Sequence, residues 1–185
     1  MKKLIMAVAI VCASVLAQAA TVSWTATSIT KDGTAVSGLA YLINDAKFSR
    51  AEALALAGTG AQNFIDTLSS SSAMAQAWKV TDGKAETFST STRIENSALG
   101  AADNTPVNFY AIVFNTDTIT NDSYFYVTAI KSVQTASGTS NKVIGLGNQS
   151  VASAAEGAWQ AVPEPTTGLL LLLGVAGLAL RRKQA

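Results

Sequence analysis

The sequence predicts an α+β body: an antiparallel β-sheet of five to seven strands, with a sandwich-like arrangement open to it, carrying two or three short helices. Three observations predict it. The runs 108–114 (Asn-Phe-Tyr-Ala-Ile-Val-Phe) and 124–130 (Tyr-Phe-Tyr-Val-Thr-Ala-Ile) are nearly continuous apolar stretches of strand length, as expected of central strands covered on both faces by helices or a second sheet. Asp82-Gly83 is a two-residue hairpin signal between two β-prone runs. Ser49 and Glu52 stand at capping-box spacing before an alanine-rich run, so a helix interrupts the β pattern.

Taken in order, residues 22–29 alternate and are rich in Thr, Val and Trp, which predicts a first strand. Lys31-Asp32-Gly33 supplies a turn, and 38–43 (Gly-Leu-Ala-Tyr-Leu-Ile) a second strand ended by Asn44-Asp45. The capping box predicts a helix over 50–57, stopped by Gly58. Phe64, Ile65 and Leu68 predict another over 61–68, running into the serine tract 69–72, itself a loop or the cap of a turn around 74–78. A hairpin of 78–80 with 86–92 follows, then a loop over 97–106 and the two apolar strands joined by a loose loop over 115–123. Residues 142–146 predict a further strand, and 153–159 a last short helix or edge segment. Trp24 and Trp159, at opposite ends of the body, are expected to tie its termini into the core. No repeat is visible, which argues against propellers and solenoids.

Composition narrows the chemistry. The chain has no histidine, so no Ser-His-Asp or Cys-His constellation and no His-ligated zinc can be built. Its single cysteine, Cys12, lies in the first apolar run, which leaves the body without thiol or disulfide, and Val11 before it does not fit a lipidation site. Five of the thirteen basic residues and one of the twelve acidic residues lie in the end segments, leaving eight against eleven and a body near −3. The eight are scattered, whereas a phosphate-backbone binder needs a clustered basic face; nucleic acid is excluded as a partner. Carboxylate-only hydrolysis stays open, although no pair among the body's Asp and Glu is singled out by spacing. No cofactor motif is present: Gly58-Thr59-Gly60 and Gly145-Leu146-Gly147 lack the rest of a phosphate loop and predict turns.

The two ends read as addresses. Lys2 and Lys3, an apolar run over 4–16, and Ala17-Gln18-Ala19 have the order of a Sec signal peptide, with cleavage expected before Ala20. At the other end stand Val162, Pro163, Glu164 and Pro165, then an apolar run from Gly168 to Leu180, then Arg181, Arg182 and Lys183. The prolines hold the segment around Glu164 extended and exposed. Thirteen apolar residues span only about 20 Å as a helix against a hydrocarbon core of about 30 Å, which is short for a permanent transmembrane helix. The basic trio belongs on the cytoplasmic side. This tail resembles the PEP-CTERM sorting signal of exported proteins in Gram-negative bacteria. The resemblance implies that an exosortase recognises Pro163-Glu164-Pro165 and cuts the tail away, with transfer to an envelope acceptor as a further step it allows. A retained membrane anchor and a buried core helix are the competing readings. The division expected is a signal peptide over 1–19, a body over 20–161 and a sorting tail over 162–185.

Within the body, Tyr124 and Tyr126 alternate onto one strand face at a spacing suited to stacking sugar rings, against the plainer reading of core aromatics. Asn115, Thr116, Asp117, Asn121 and Asp122 cluster oxygen ligands of the kind calcium takes, but without an EF-hand's glycine and glutamate they read first as turn formers, and no metal site is assigned. The sequence thus predicts a non-enzymatic protein of the cell envelope, cell surface or extracellular matrix, made as a membrane-anchored precursor. Its expected partners are the Sec machinery, an exosortase, the inner membrane and extracellular polysaccharide. A glycan- or surface-ligand-binding module is the second expectation and a carboxylate-dependent hydrolase the third.

Overall fold

The computed structural model describes residues 19–56, 61–70, 77–86, 93–120, 122–149 and 158–162. The sequence motifs at 1–18, 57–60, 71–76, 87–92, 150–157 and 163–185 lie outside the described residues. They include most of the signal peptide, the expected strand 86–92 beyond its first residue, most of 153–159 and the tail beyond Val162.

Twelve strands are described: β1 (Thr21–Thr27), β2 (Thr30–Lys31), β3 (Thr34–Ala35), β4 (Gly38–Asn44), β5 (Ala77–Val80), β6 (Ala85–Glu86), β7 (Ile94–Glu95), β8 (Pro106–Phe114), β9 (Tyr124–Val127), β10 (Lys131–Gln134), β11 (Asn141–Asn148) and β12 (Trp159–Ala161). Helices α1 (Arg50–Ala55) and α2 (Ala61–Ser70) lie between β4 and β5, and a 3₁₀ turn, Ser97–Leu99, falls in the expected loop 97–106. The strands form a six-stranded sheet in the order β12-β9-β8-β4-β5 with β10 also on β8, a four-stranded sheet in the order β11-β1-β6 with β7 also on β1, and the small β2-β3 hairpin.

The six-stranded sheet is the middle layer, and β8 shows why. From Phe109 to Phe114 every residue is fully buried. Because successive strand residues face opposite ways, Phe109, Ala111 and Val113 pack with Val22, Trp24 and Ala26 of the smaller sheet, while Tyr110, Ile112 and Phe114 pack with Phe48, Ala53, Leu56 and Leu68 on the helical side. The near-continuous apolar run is thus explained by a second sheet on one face and helices on the other. Across the sheet–sheet interface the rings of Trp24 and Trp78 lie 5.1 Å apart. The capping box forms as its spacing requires: the Ser49 hydroxyl accepts from the Glu52 N–H, and Glu52 Oε2 accepts from the Ser49 N–H.

Four expectations are corrected. The antiparallel reading holds for every described strand pair except β1 with β11, which run parallel from Thr21 opposite Asn141 to Thr27 opposite Asn148. The Asp82-Gly83 turn forms, both residues taking positive φ (48° and 71°), but the ladder beyond it is one bridge, Thr81 with Lys84. After that bridge β5 joins β4 and β6 joins β1, so the turn carries the chain from one sheet to the other. The run 124–130 is broken: Val127 pairs with Ile112 and Lys131 with Phe109, so three residues stand opposite two. This is a β-bulge, and it turns Ile130 out to 44% exposure. Gly145-Leu146-Gly147 is also a bulge and not a turn, since Thr25 and Ala26 are adjacent whereas their partners Gly145 and Gly147 are not.

Strand pairing defines two poles. Ala20 and the starts of β1 and β8 share one with Asn96 and the 3₁₀ turn: the Ala20 carbonyl accepts from the Asn96 N–H at 3.0 Å, and the Asn96 amide donates to Asp103 and to the Ala136 carbonyl. The ends of β8 and β12, the loop 115–123 and the Asp82-Gly83 turn lie at the other.

Candidate functional site

The chain leaves the body at the second pole, through β12 and Val162. β12 pairs only with β9 among the described strands, Trp159 opposite Tyr126 and Ala161 opposite Tyr124. The Trp159 ring lies 5.6 Å from that of Tyr126, and its indole N–H donates to the Thr30 carbonyl at 2.8 Å. Trp24 is wholly buried on the first strand, so both tryptophans tie the ends of the body down as expected.

Val162, the first residue of the sorting motif, is 1% exposed and packs in the core cluster of Ile112, Phe114 and Phe125. Its N–H donates to the Ser123 carbonyl at 2.7 Å. Ser123 is fully buried and organises the loop before it. Its hydroxyl accepts from the Thr120 N–H at 2.9 Å and bonds the Thr116 hydroxyl at 2.8 Å, and its own N–H donates to the Thr120 carbonyl. One residue thus ties the loop to the root of the tail. The sequence reading missed both anchors. Ser123 only closes a loop of turn formers, and the one available signal for Val162 was an apolar residue in phase with Gln160 on a short edge strand.

The two tyrosines do not make a common exposed face. Tyr124 is 38% exposed and Tyr126 only 4%. Trp159 across from Tyr126 covers it, whereas Ala161 across from Tyr124 is too small to do so. The Tyr126 hydroxyl donates to Gln149 Oε1 at 2.9 Å, and burial raises its pKa, against a smaller opposing effect of Arg50. Tyr124 keeps one cation beside it, the Lys31 ammonium 4.2 Å from the ring centroid.

In the loop between β8 and β9 three of the candidate ligand side chains have partners. Asn115 Oδ1 accepts from the Tyr124 N–H at 2.6 Å, the Thr116 hydroxyl donates to the Thr118 carbonyl at 2.8 Å, and Asp117 faces Lys79 at 3.6 Å. Asn121 lies outside the described residues. Among the described residues no group of three or more His, Cys, Asp or Glu is placed to share an ion. Several carboxylates have structural partners: Asp45 accepts from the Arg50 N–H, Asp103 from the Asn96 amide, and Glu52 closes its cap. At the first pole a shallow groove of about 480 Å³ is lined by Asn44, Asp45, Pro106, Asn108 and Ser132. Its Asn44 amide is spent on the Leu99 and Gly100 carbonyls.

Of the signal-cleavage residues, Ala17 lies outside the described residues, Ala19 is exposed and Ala20 is buried. Pro163, Glu164, Pro165, Gly168, Leu180, Arg181, Arg182 and Lys183 also lie outside them. No helix of the described residues is long and apolar enough to cross a membrane.

Comparison with known families matches one model, the PEP-CTERM protein-sorting motif, at residues 161–183. No curated protein and no solved structure matches the chain. The chain therefore carries a sorting signal of the kind an exosortase processes at the membrane, which marks an exported, envelope-associated protein. The match overlaps the fold only at Ala161 and Val162, and assigns nothing to the rest of the body.

Proposed function

We propose that the body is a non-enzymatic module carried to the cell envelope by its tail and displayed at the surface or released into the extracellular polysaccharide matrix. The observation that carries the reading is the order of the tail: a motif matched at 161–183, a short apolar run and a basic stop. The amino-terminal Sec-type segment supports the same route, delivering the chain across the inner membrane before the tail stops it. Support for a non-catalytic body comes from the residue inventory, which has no histidine and no cysteine after Cys12, and from carboxylates engaged in caps and loop bonds. Glycan binding stands second. With Tyr126 in the core it rests on Tyr124 alone, one ring beside one lysine, a smaller platform than the paired face the sequence offered. A carboxylate-dependent hydrolase stands third.

Cell fractionation with mass spectrometry of the carboxy terminus tests the leading reading. The expected product is envelope or secreted protein that lacks Ala185. Full-length protein confined to the cytoplasm would end it. Binding of purified body to a glycan array, lost in Tyr124→Ala, would move the second reading to first place, and polysaccharide turnover lost in a single Asp or Glu variant would do so for the third.

A further inference from the structure

Val162 is at once the last described residue of the body and the first residue of Val162-Pro163-Glu164-Pro165. Its burial, its bond to Ser123, the β12-β9 ladder and the Trp159 contacts fasten the chain through the first residue of the motif. Proline has no N–H, so the hydrogen bonding that ends on the Val162 amide cannot continue at Pro163. Five residues, 163–167, then separate Val162 from Gly168, where the apolar run starts. Six Cα steps reach at most about 20 Å. An enzyme that holds these five residues extended takes up most of that length, which leaves little slack between the apolar run and the exposed pole.

Resting on the sorting reading, we infer that Val162 and Ser123 are positioning residues for tail processing: they clamp β12 to the body, hold the folded pole against the processing enzyme, and so limit the rate of cleavage. The clamp is built to open. β12 is three residues long, and among the described residues Gln160 Oε1 on it is buried with no hydrogen-bond partner, which weakens the hold. Release of β12 adds Trp159, Gln160, Ala161 and Val162 to the chain the enzyme can draw out.

Pulse-chase of the full chain in exosortase-positive cells tests this with three variants: a six-residue Gly-Ser insertion between Val162 and Pro163, Val162→Asp, and both together. The insertion leaves every contact of the body in place, so its melting temperature should stay that of the parent while the processing half-time falls threefold or more. Val162→Asp should shorten the half-time as well, and the combination should be no faster than the insertion alone. An insertion variant processed at the parental rate or more slowly would overturn the clamp, whatever the folding of Val162→Asp. The pair Pro163→Ala/Pro165→Ala in each background separates the two layers. If it blocks processing while the insertion changes nothing, the clamp alone is wrong. If it changes nothing, or Ala185 is retained throughout, the sorting reading falls and the clamp with it.

Discussion

Two side chains at the first helix, Glu52 and Tyr110, have their pKa values shifted in opposite directions. Glu52 has its carboxyl held below the ordinary value, first by the Ser49 hydroxyl and then by the Ser49 N–H. A lowered folded pKa adds stability above the ordinary 4.5 that is lost as pH falls through the lowered value. The group is exposed, so the effect is small. Tyr110 lies the other way: burial pushes its hydroxyl well above the ordinary 10.0, Asp45 and Glu52 push it further, and Arg50 opposes them. Its contribution is complete below about pH 10 and is lost as pH rises beyond that. The hydroxyl also donates to the buried Phe48 carbonyl at 2.8 Å. Tyr110→Phe is therefore expected to cost about 1–3 kcal/mol at pH 8, by leaving that carbonyl without a donor. It should also soften the decline of stability between pH 10 and 11. Urea unfolding at both pH values measures each effect, and equal losses at the two would remove the titration from the account.

The elements divide by how far apart their determinants lie. Gly83 is fixed locally: Asp82-Gly83 demands positive φ at both positions. What no dipeptide reveals is that the Gly83 N–H donates to the Val36 carbonyl and that an added Cβ would stand 2.7 Å from the Ile29 carbonyl oxygen. Gly83→Ala should then cost about 1–3 kcal/mol or more, by strain and by displacement at the crossing between sheets. Gly138→Ala has the same sign of φ and nothing within 4 Å, and should cost less. Thermal melts of the two variants check the order. The same contrast explains what was legible. Strands β1, β4 and β8 and helix α1 follow from runs and caps contained in a dozen residues. The bulge at 128–130, the parallel pairing of Thr21 with Asn141 and the parting of β5 from β6 depend on partners far along the chain, which no local pattern names. At the candidate site, alternation offered Tyr124 and Tyr126 as one face, but the size of their cross-strand partners decided which is covered. The edge strand β11 shows another long-range device: Lys142 and the bulge at Leu146 make it a poor template for a further strand, although Val143 is 44% exposed.

At the scale of the whole molecule, the direction of β8 ties the fold to its route. Nine residues of strand cover about 30 Å, and β8 runs from the pole that holds Ala20 to the pole that holds Ser123 and Val162. A precursor held by its tail is leashed at the second pole by about 20 Å of chain. With the tail inserted, the loop 115–120 is expected to lie nearer the bilayer than the 3₁₀ turn and Ala102, which the length of β8 places about 30 Å away at the other pole. Labels at Thr118→Cys and Ala102→Cys, both exposed positions, in a Cys12→Ser background report this geometry. In membranes from cells without exosortase, a quencher in the outer leaflet should dim the Thr118 label severalfold more than the Ala102 label. After insertion of six residues between Val162 and Pro163 the difference should shrink, because the leash roughly doubles and the body can tumble. Equal quenching of both labels in the parent precursor would mean that the body lies on its side, and the pole at Ser123 would lose its place as the face presented to the membrane.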